Sequence, residues 1–347
     1  MIRCEFVDPL LEPRWNQWIL EVPGATFFHS SQWARVLTQS YNYPLHYAVM
    51  RDANDRICGV LPVAEVRSWL TGRRGVCLPF SDECAPLAAE PALLEPLVQS
   101  LKDLGRQRRW DYLELRGGSE AVRGATQTDE FWTHRIPLEA SEDLQFRRLK
   151  ESHQRNIRKA QRGAVEIHHL KTTDAIEAYY ALHCLTRQRH GLPPQPFRFF
   201  QMIYKNVIEP GSGFVALARS GGQWIAGAVY FEFASKALYK FGASDPAFQH
   251  LRANNLLMWE TILLFRSRGF QELSLGRTDL HSDGLLQFKR GWGGEETAVR
   301  YHRMALCKPL RQKKVVTSGL GAKGSLMKKL PIGVLRGIGA LLYRHLG

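Results

Sequence analysis

A weak internal repeat constrains the fold of this chain more than any other feature of its sequence. Residues 49–63 (VMRDANDRICGVLPV) align without a gap with residues 217–231 (LARSGGQWIAGAVYF), 168 positions later. The identical pairs are Arg51 with Arg219, Ile57 with Ile225, and Gly59 with Gly227. Each copy predicts a strand, a polar turn and a second strand. Because the offset is nearly half of the 347 residues, the repeat indicates two copies of one α/β unit.

The order of predicted elements supports this duplication. The first copy continues with a helix over 93–108 and a strand over 112–115. In the second half, the apolar spacing predicts helices over 174–190 and 256–268 and strands over 213–218, 225–233, 237–241 and 272–276. This is the element order of the GNAT acyltransferase fold, although a fold alone does not fix a function.

The net charge of +14 is concentrated at the end of the chain. Eleven of the 47 basic residues follow Glu296, the last acidic residue, and residues 1–296 hold 36 basic and 33 acidic residues. The body is therefore nearly neutral, and we expect no DNA partner.

The segment Lys328–Leu346 alternates basic and apolar residues, which favours a peripheral helix on an anionic membrane. The alternative is a helix that docks on its own body, although three glycines would weaken it when free.

Other protein classes fit poorly. No uncharged apolar run approaches the roughly 18 residues that span a bilayer, and the N-terminus does not resemble a signal peptide. We therefore expect a cytoplasmic protein, with peripheral contact at the inner face of the membrane through the tail. The six cysteines form no C-x-x-C pair, which argues against a zinc site or a disulfide framework.

Seven basic residues crowd into residues 146–162 (FRRLKESHQRNIRKAQR), between the two halves. One interpretation is a solvated helix face. The other is a helix that faces an anion between two domains, in which case Arg155 and Arg158 would bind substrate.

Seven short segments, taken together in this order, resemble the FemABX peptidoglycan-bridge transferases and their acyltransferase-like bacterial relatives. The segments are Phe28–Trp33, Leu78–Asp82, Arg155–Ala160, Thr186–Gly191, Tyr239–Asp245, Leu275–Thr278 and Gly284–Gly293. The resemblance covers about residues 25–305 and extends to FemAB-related proteins of exopolysaccharide and PEP-CTERM (exosortase) gene clusters.

The resemblance implies an α/β (α+β) fold with two tandem GNAT-like acyl-CoA N-acyltransferase domains, a cleft between them and a basic tail. The implied segments are an N-terminal domain (1–145), a basic interdomain helix (146–163), a C-terminal domain with the main site (164–310) and an amphipathic tail (311–347).

The implied activity is transfer of an acyl or aminoacyl group to an amine of a cell-envelope or exopolysaccharide precursor. Two alternatives stay open: an aminoacyl-tRNA-dependent, peptidoglycan-type ligase, and a non-catalytic GNAT-like scaffold recruited to the membrane.

The resemblance also implies roles for particular residues. Lys289 is the candidate to stabilise the tetrahedral oxyanion from an exposed position in the cleft, where its loss would affect folding little. Arg189 resembles a clamp for a phosphate or carboxylate of an anionic small-molecule or precursor substrate. Tyr239 and Arg277 stand at strand ends where they would bind substrate.

The donor is ambiguous at this stage. GNAT enzymes that use acyl-CoA hold its pyrophosphate with a glycine-rich loop at a helix N-terminus. Here the corresponding residues 249–254 (QHLRAN) place Arg252 and Asn254 where glycines are expected. We expect no tightly bound cofactor and no metal, with acyl-CoA or aminoacyl-tRNA as co-substrate and tRNA as a candidate partner.

Asp279–Asp283 is interpreted as a turn, and Gly319–Gly324 lacks the βαβ context of a dinucleotide site.

Overall fold

The computed structural model describes residues 3–118, 122–310 and 321–347. The first ten residues of the predicted tail and the start of the Gly319–Gly324 motif lie outside the described residues. The strands are β1 (Arg3–Val7), β2 (Leu45–Arg51), β3 (Ile57–Ser68), β4 (Gly72–Val76), β5 (Leu87–Ala88), β6 (Tyr112–Arg116), β7 (Thr126–Pro137), β8 (Glu166–Leu170), β9 (Gly213–Ser220), β10 (Gln223–Phe233), β11 (Lys236–Ser244), β12 (Glu272–Asp279) and β13 (Glu295–Ala305).

The α-helices are α1 (Trp15–Leu20), α2 (Ser31–Tyr41), α3 (Leu94–Gln107), α4 (Glu142–Arg147), α5 (Glu151–Arg162), α6 (Thr173–Arg189), α7 (Phe197–Ile203), α8 (Ala253–Ser267), α9 (Asp283–Arg290), α10 (Gly321–Lys329) and α11 (Ile332–Leu346). Short 3₁₀ turns cover Phe27–His29, Pro91–Leu93 and Pro246–Leu251, and one π-helical turn covers Tyr204–Ile208.

The chain divides into two compact units that are discontinuous in sequence. Unit 1 comprises Met1–Phe131, Ala298–Val315 and Leu342–Gly347, and unit 2 comprises Trp132–Thr297 and Val316–Leu341. The sequence predicted contiguous segments instead. The difference arises because β13 and α11 each contribute residues to both units.

Unit 1 contains a sheet in the order β1-β2-β3-β4-β6-β13. Its neighbouring strands are antiparallel, except that β4 pairs in parallel with β6. Helix α3 connects these two parallel strands and packs on the sheet through Leu97, Val98 and Leu101. A parallel neighbour needs such a crossover helix.

Unit 2 repeats this arrangement. Strands β9, β10 and β11 form an antiparallel meander, β12 pairs in parallel with β11, and α8 is the crossover helix. The repeat predicted from residues 49–63 and 217–231 is thereby confirmed: the first copy forms the β2–β3 hairpin and the second forms β9–β10.

Helices cover both faces of the unit 2 sheet. Ala228 lies in one apolar core with Leu257 and Met258 of α8. A side chain at the neighbouring Gly227 would instead meet Tyr179 of α6. Because successive strand residues point to opposite faces, α6 and α8 pack on opposite sides of β10.

The end of the chain docks on unit 2, which is the alternative that the sequence left open beside a peripheral membrane helix. Leu335 is fully buried, and the Gln188 side chain donates to the Leu330 carbonyl at 2.8 Å. A Cβ atom at Gly339 would collide with the Pro194 carbonyl, so the glycine that weakens a free helix permits this docking. Val334 and Leu341 remain exposed. Among the described helices, none is both long and apolar enough to cross a membrane.

Candidate acyl-transfer site

The parallel strands of unit 2 separate part of the way along their length. Residues Lys236–Leu238 of β11 pair with Glu272–Ser274 of β12, and the pairing stops there. Both strands nevertheless continue, to Ser244 and to Asp279. Their carboxyl ends therefore border an opening whose strand edges carry backbone groups able to bind a ligand.

A β-bulge beside this opening sets the direction of Tyr239. Tyr230 pairs with Tyr239 and Val229 pairs with Phe241, so Lys240 is an extra residue on β11. A bulge of this kind reverses the side-chain alternation beyond it. The Tyr239 hydroxyl lies over Gly242, where a Cβ atom would overlap it. Burial raises the pKa of Tyr239 to about 12, so its hydroxyl keeps its proton at neutral pH and can donate it.

Lys289 is buried, which corrects the expectation of an exposed lysine. Only 3% of its surface is accessible. Its Nζ donates to the carbonyl of Gly276 at 2.9 Å and to that of Arg277 at 3.1 Å. Gly276 has a φ of 64°, in the left-handed region that favours glycine. Lys289 therefore holds the end of β12 in an irregular conformation at the edge of the opening.

Three polar residues, His134, Glu296 and Arg290, accompany Lys289, and the sequence analysis chose none of them as a site residue. The Nε2 atom of His134, on β7, lies 2.7 Å from Oε2 of Glu296. Arg290 forms two bonds to the same carboxylate, at 2.6 and 2.8 Å. Burial, and after it the charge of Lys289, lowers the pKa of His134, so the imidazole is neutral at neutral pH. Nothing in the local sequence around His134 signals this neighbourhood.

Arg189 stands at the end of α6, close to the end of β11. The Thr186 hydroxyl donates to the Ser244 carbonyl at 3.1 Å and accepts from the Ser244 amide at 3.0 Å. One turn further along, Nη1 of Arg189 is buried and has no hydrogen-bond partner among the described residues. A buried guanidinium nitrogen without a partner is costly, and an anionic ligand would satisfy it.

The end of β12 carries two further polar side chains. Arg277 is half-buried. The Thr278 hydroxyl is buried and, like Arg189 Nη1, has no hydrogen-bond partner among the described residues. Thr278 belongs to a sequence segment that carried the family resemblance, so a signal was present although the residue was not chosen.

Arg252 and Asn254 flank the start of α8, and both are exposed. Arg252 adopts a φ of 59°, and no side chain caps the helix there. The backbone at Arg252 thus takes the left-handed conformation that glycine favours, although a residue with a side chain adopts it at a modest cost in free energy. The helix begins soon after β11 ends, so its first amide groups can attract an anion near the opening.

Arg155 and Arg158 lie on the outer face of α5. Arg155 is 3.4 Å from Glu151, and Arg158 stacks on the Phe146 ring with a 5.3 Å separation. The opposite face of α5 packs on Phe288 and Trp292 through His153. Among the described residues, no hydrogen bond or ion pair links these arginines to Lys289, Tyr239 or Arg189.

Two of the family-like segments have structural positions in unit 1. His29 is buried, its Nε2 lies 2.9 Å from the Ala85 carbonyl, and burial lowers its pKa to about 4. The Trp15 indole donates to the His29 carbonyl at 2.8 Å. In the other segment, the Ser81 hydroxyl donates to the Leu78 carbonyl at 2.6 Å. No group of three or more metal-ligating side chains occurs in the part of the chain that the structure describes.

Comparisons with known proteins agree with this architecture. Residues 147–290, which include most of the site, match the family model of the acetyltransferase (GNAT) domain. No curated protein sequence matches the chain. Residues 147–290 are thus similar to a GNAT acetyltransferase domain, and this segment carries the opening between β11 and β12.

Several solved structures share the fold over nearly the whole chain. FemX superposes with a TM-score of 0.69 at 13% identity, covering 88% of this chain and 98% of its own. A tandem GNAT protein from the clavulanic acid biosynthesis pathway gives 0.57 at 10% identity, covering 90% and 100%. L-PGS from Bacillus licheniformis gives 0.53 at 10% identity, covering 92% and 96%. The architecture is therefore FemX-like, with tandem GNAT-type units.

Proposed function

We propose that unit 2 transfers an acyl or aminoacyl group from an activated donor to an amine at the opening between β11 and β12. The observation that carries the proposal is that these strands stop pairing after Leu238 and Ser274. An extended donor arm can form hydrogen bonds with the unpaired strand edges. The uncapped start of α8, just beyond β11, supplies amide groups for the donor's phosphates.

Tyr239 is the residue best suited to assist departure of the leaving group. The amine attacks the donor carbonyl carbon and a C–N bond forms. The bond from that carbon to the donor sulfur or oxygen then breaks, the amine loses a proton to solvent, and the Tyr239 hydroxyl donates one to the leaving atom. A hydroxyl with a pKa of about 12 is protonated before this step.

In this proposal Lys289 is a positioning residue, because its hydrogen bonds fix the carbonyls of Gly276 and Arg277 at the edge of the opening. Its assignment to the oxyanion stays a prediction. Arg189 Nη1 and the Thr278 hydroxyl have no hydrogen-bond partner among the described residues, which suits recognition of a polar acceptor. We propose an anionic cell-envelope or exopolysaccharide precursor as that acceptor.

A second candidate is an aminoacyl-tRNA donor. The exposed Arg252 guanidinium next to the start of α8 favours it, because an RNA backbone presents phosphates that arginine binds well. The FemX-like fold is compatible with either donor.

The test is to incubate the full chain with an amine acceptor and panels of acyl-CoA and aminoacyl-tRNA donors, and to detect products by mass spectrometry. Tyr239→Phe should lower kcat about 100-fold and leave donor affinity unchanged. Tyr204→Phe, at a half-buried tyrosine of the π-helical turn, is the matched control. Wild-type turnover by Tyr239→Phe would contradict the role of Tyr239, and inactivity with every donor would contradict the transfer.

Donor binding near α8 can be tested separately. Arg252→Glu should weaken binding of the accepted donor at least about tenfold, because it replaces a cation beside the helix N-terminus with an anion. Lys171→Glu makes the same kind of change at an exposed site before α6 and should have little effect. Equal affinities of the two variants would exclude the start of α8 as the donor site.

A further inference from the structure

The turn between β3 and β4, in unit 1, presents two large apolar side chains to solvent. Trp69 is 83% exposed and Leu70 is 47% exposed. Small or polar residues normally fill such turns. The Ser68 hydroxyl accepts hydrogen bonds from the amides of Leu70 and Thr71, at 3.1 and 3.0 Å. Gly72 supplies the left-handed residue, with a φ of 80°. The side chains of Trp69 and Leu70 are therefore not needed to form the turn.

The turn is held in place from two directions. The Thr71 hydroxyl donates to the His345 carbonyl at 3.0 Å. The rings of Trp69 and His345 meet edge to face, with their centroids 5.7 Å apart. On the β4 side, the Asp111 amide donates to the Arg73 carbonyl at 2.7 Å. The exposed Trp69 thus stands on a fixed support.

Cations lie beside the base of this turn. Arg73, Arg109 and Lys308 line, together with Ser68, a cavity of about 610 Å³ and are all exposed. Among the described residues that line this cavity, Asp111 is the one carboxylate, and it pairs with Lys308 at 2.9 Å. Neither Arg73 nor Arg109 forms an ion pair within the part of the chain that the structure describes. Three cations and one carboxylate leave this cavity with a net positive charge.

The two features together indicate the kind of surface that the turn contacts. A single exposed apolar side chain such as Leu11, which is 82% exposed, needs no explanation. Here a tryptophan and a leucine protrude side by side, with cations behind them. Tryptophan is enriched at the headgroup level of membranes, and anionic lipids attract nearby lysine and arginine. RNA could stack on Trp69 and pair with the cations, but it would leave Leu70 exposed.

We propose that the β3–β4 turn is a membrane-contact surface. Trp69 and Leu70 enter the interface of an anionic bilayer, and Arg73, Arg109 and Lys308 bind its headgroups. The sequence analysis expected peripheral contact through the tail, whereas this surface is carried by a β-hairpin of unit 1. The inference does not rest on the proposed function.

The test is cosedimentation of the full chain with vesicles of phosphatidylcholine and phosphatidylglycerol in equal parts, and with vesicles of phosphatidylcholine alone. The wild type should bind the anionic vesicles more tightly, and added salt should weaken this binding without abolishing it. Trp69→Ala should weaken binding about tenfold, because it removes the largest apolar side chain of the turn. Leu11→Ala, at the other exposed apolar position, is the control and should bind like the wild type.

A second pair of variants tests the cations. Arg73→Glu should weaken binding to the anionic vesicles at least about tenfold, because it replaces a headgroup-binding cation with an anion. Arg35→Glu makes the same change at an exposed arginine of α2, so it alters the net charge equally, and should have a much smaller effect. Thermal unfolding of each variant verifies that it folds.

Two results would overturn the inference: no binding of anionic vesicles by the wild type at low salt, or equal binding by Trp69→Ala and Leu11→Ala. Filter binding of total tRNA tests the other occupant. Binding of tRNA that is tighter than binding of vesicles, and that Trp69→Ala abolishes, would also overturn the inference and assign the turn to RNA. Because no transfer is measured, inactivity in the assay of the proposed function would leave these results unaffected.

Discussion

Thr186 and Ser244 exchange two hydrogen bonds through a single hydroxyl group. The Thr186 hydroxyl donates to the Ser244 carbonyl and accepts from the Ser244 amide. The two residues stand near the ends of α6 and β11. The pair therefore fixes Arg189, one turn beyond Thr186, relative to the strand that carries Tyr239. Because the end of α6 is held against the end of β11, the Arg189 side chain keeps its position relative to the opening between β11 and β12.

The first prediction tests this connection. Thr186→Val keeps the shape of the side chain but removes both hydrogen bonds, so it should reduce stability by about 1–3 kcal/mol. It should also raise KM for the anionic acceptor more than it lowers kcat, because Arg189 acts in binding. Thr186→Ser retains the hydroxyl and should restore both properties. A normal KM in a folded Thr186→Val variant would show that the connection does not position Arg189.

The second prediction concerns Lys289. Lys289→Met preserves an apolar stem of similar length but leaves the carbonyls of Gly276 and Arg277 without their donor. We expect a loss of about 2 kcal/mol in the free energy of unfolding, measured by urea denaturation. Lys205→Met, at an exposed lysine, should change stability by less than about 0.5 kcal/mol. Equal denaturation midpoints for the two variants would mean that the buried ammonium is not structurally important.

The elements of the fold could be predicted from sequence because their signals are local. The polar turns after Arg51 and Arg219 predicted both hairpins, and the structure has them as β2–β3 and β9–β10. Apolar periodicity likewise predicted α6 and α8. The division into units depends on which distant segments touch, and no local pattern reports that. Hence the split of β13 and α11 between units was not foreseen.

The candidate site was predictable only in part. The family-like segments contain Tyr239, Arg189, Arg277 and Lys289, which the structure brings to unit 2. They could not indicate that Lys289 is buried, because burial depends on packing against strands far away in sequence. For the same reason, His134 carried no signal. Arg155 and Arg158 were chosen for their charge, but the structure turns them to the outer face of α5.

The third prediction concerns pH. His183 is buried, its Nε2 lies 2.7 Å from Oε1 of Gln195, and burial lowers its pKa from 6.5 to about 3. Between these two pKa values the unfolded chain therefore binds more protons than the folded chain. The stability that neutral, buried His183 contributes is complete above about pH 6.5 and is lost as pH falls towards 3. His29 and His169, each lowered to about 4, act in the same direction.

The pH dependence of urea denaturation checks this prediction. His183→Gln should reduce the loss of stability between pH 6.5 and 4, without abolishing it, because the other two histidines remain. His281→Gln, at an exposed histidine, should keep the wild-type pH profile. If His183→Gln also keeps that profile, His183 is not a buried neutral group.

The fourth prediction separates docking of the last helix from a free amphipathic tail. Leu335 is fully buried, whereas Leu341, six residues later on α11, is 73% exposed. In the docked arrangement, Leu335→Ala should cost about 2–5 kcal/mol because it leaves a cavity in a packed region. Leu341→Ala should change stability by no more than about 0.5 kcal/mol. Thermal unfolding of the two full-length variants measures the difference directly. Similar, small effects would contradict the docked arrangement, because they would show that neither leucine packs against the rest of the folded chain.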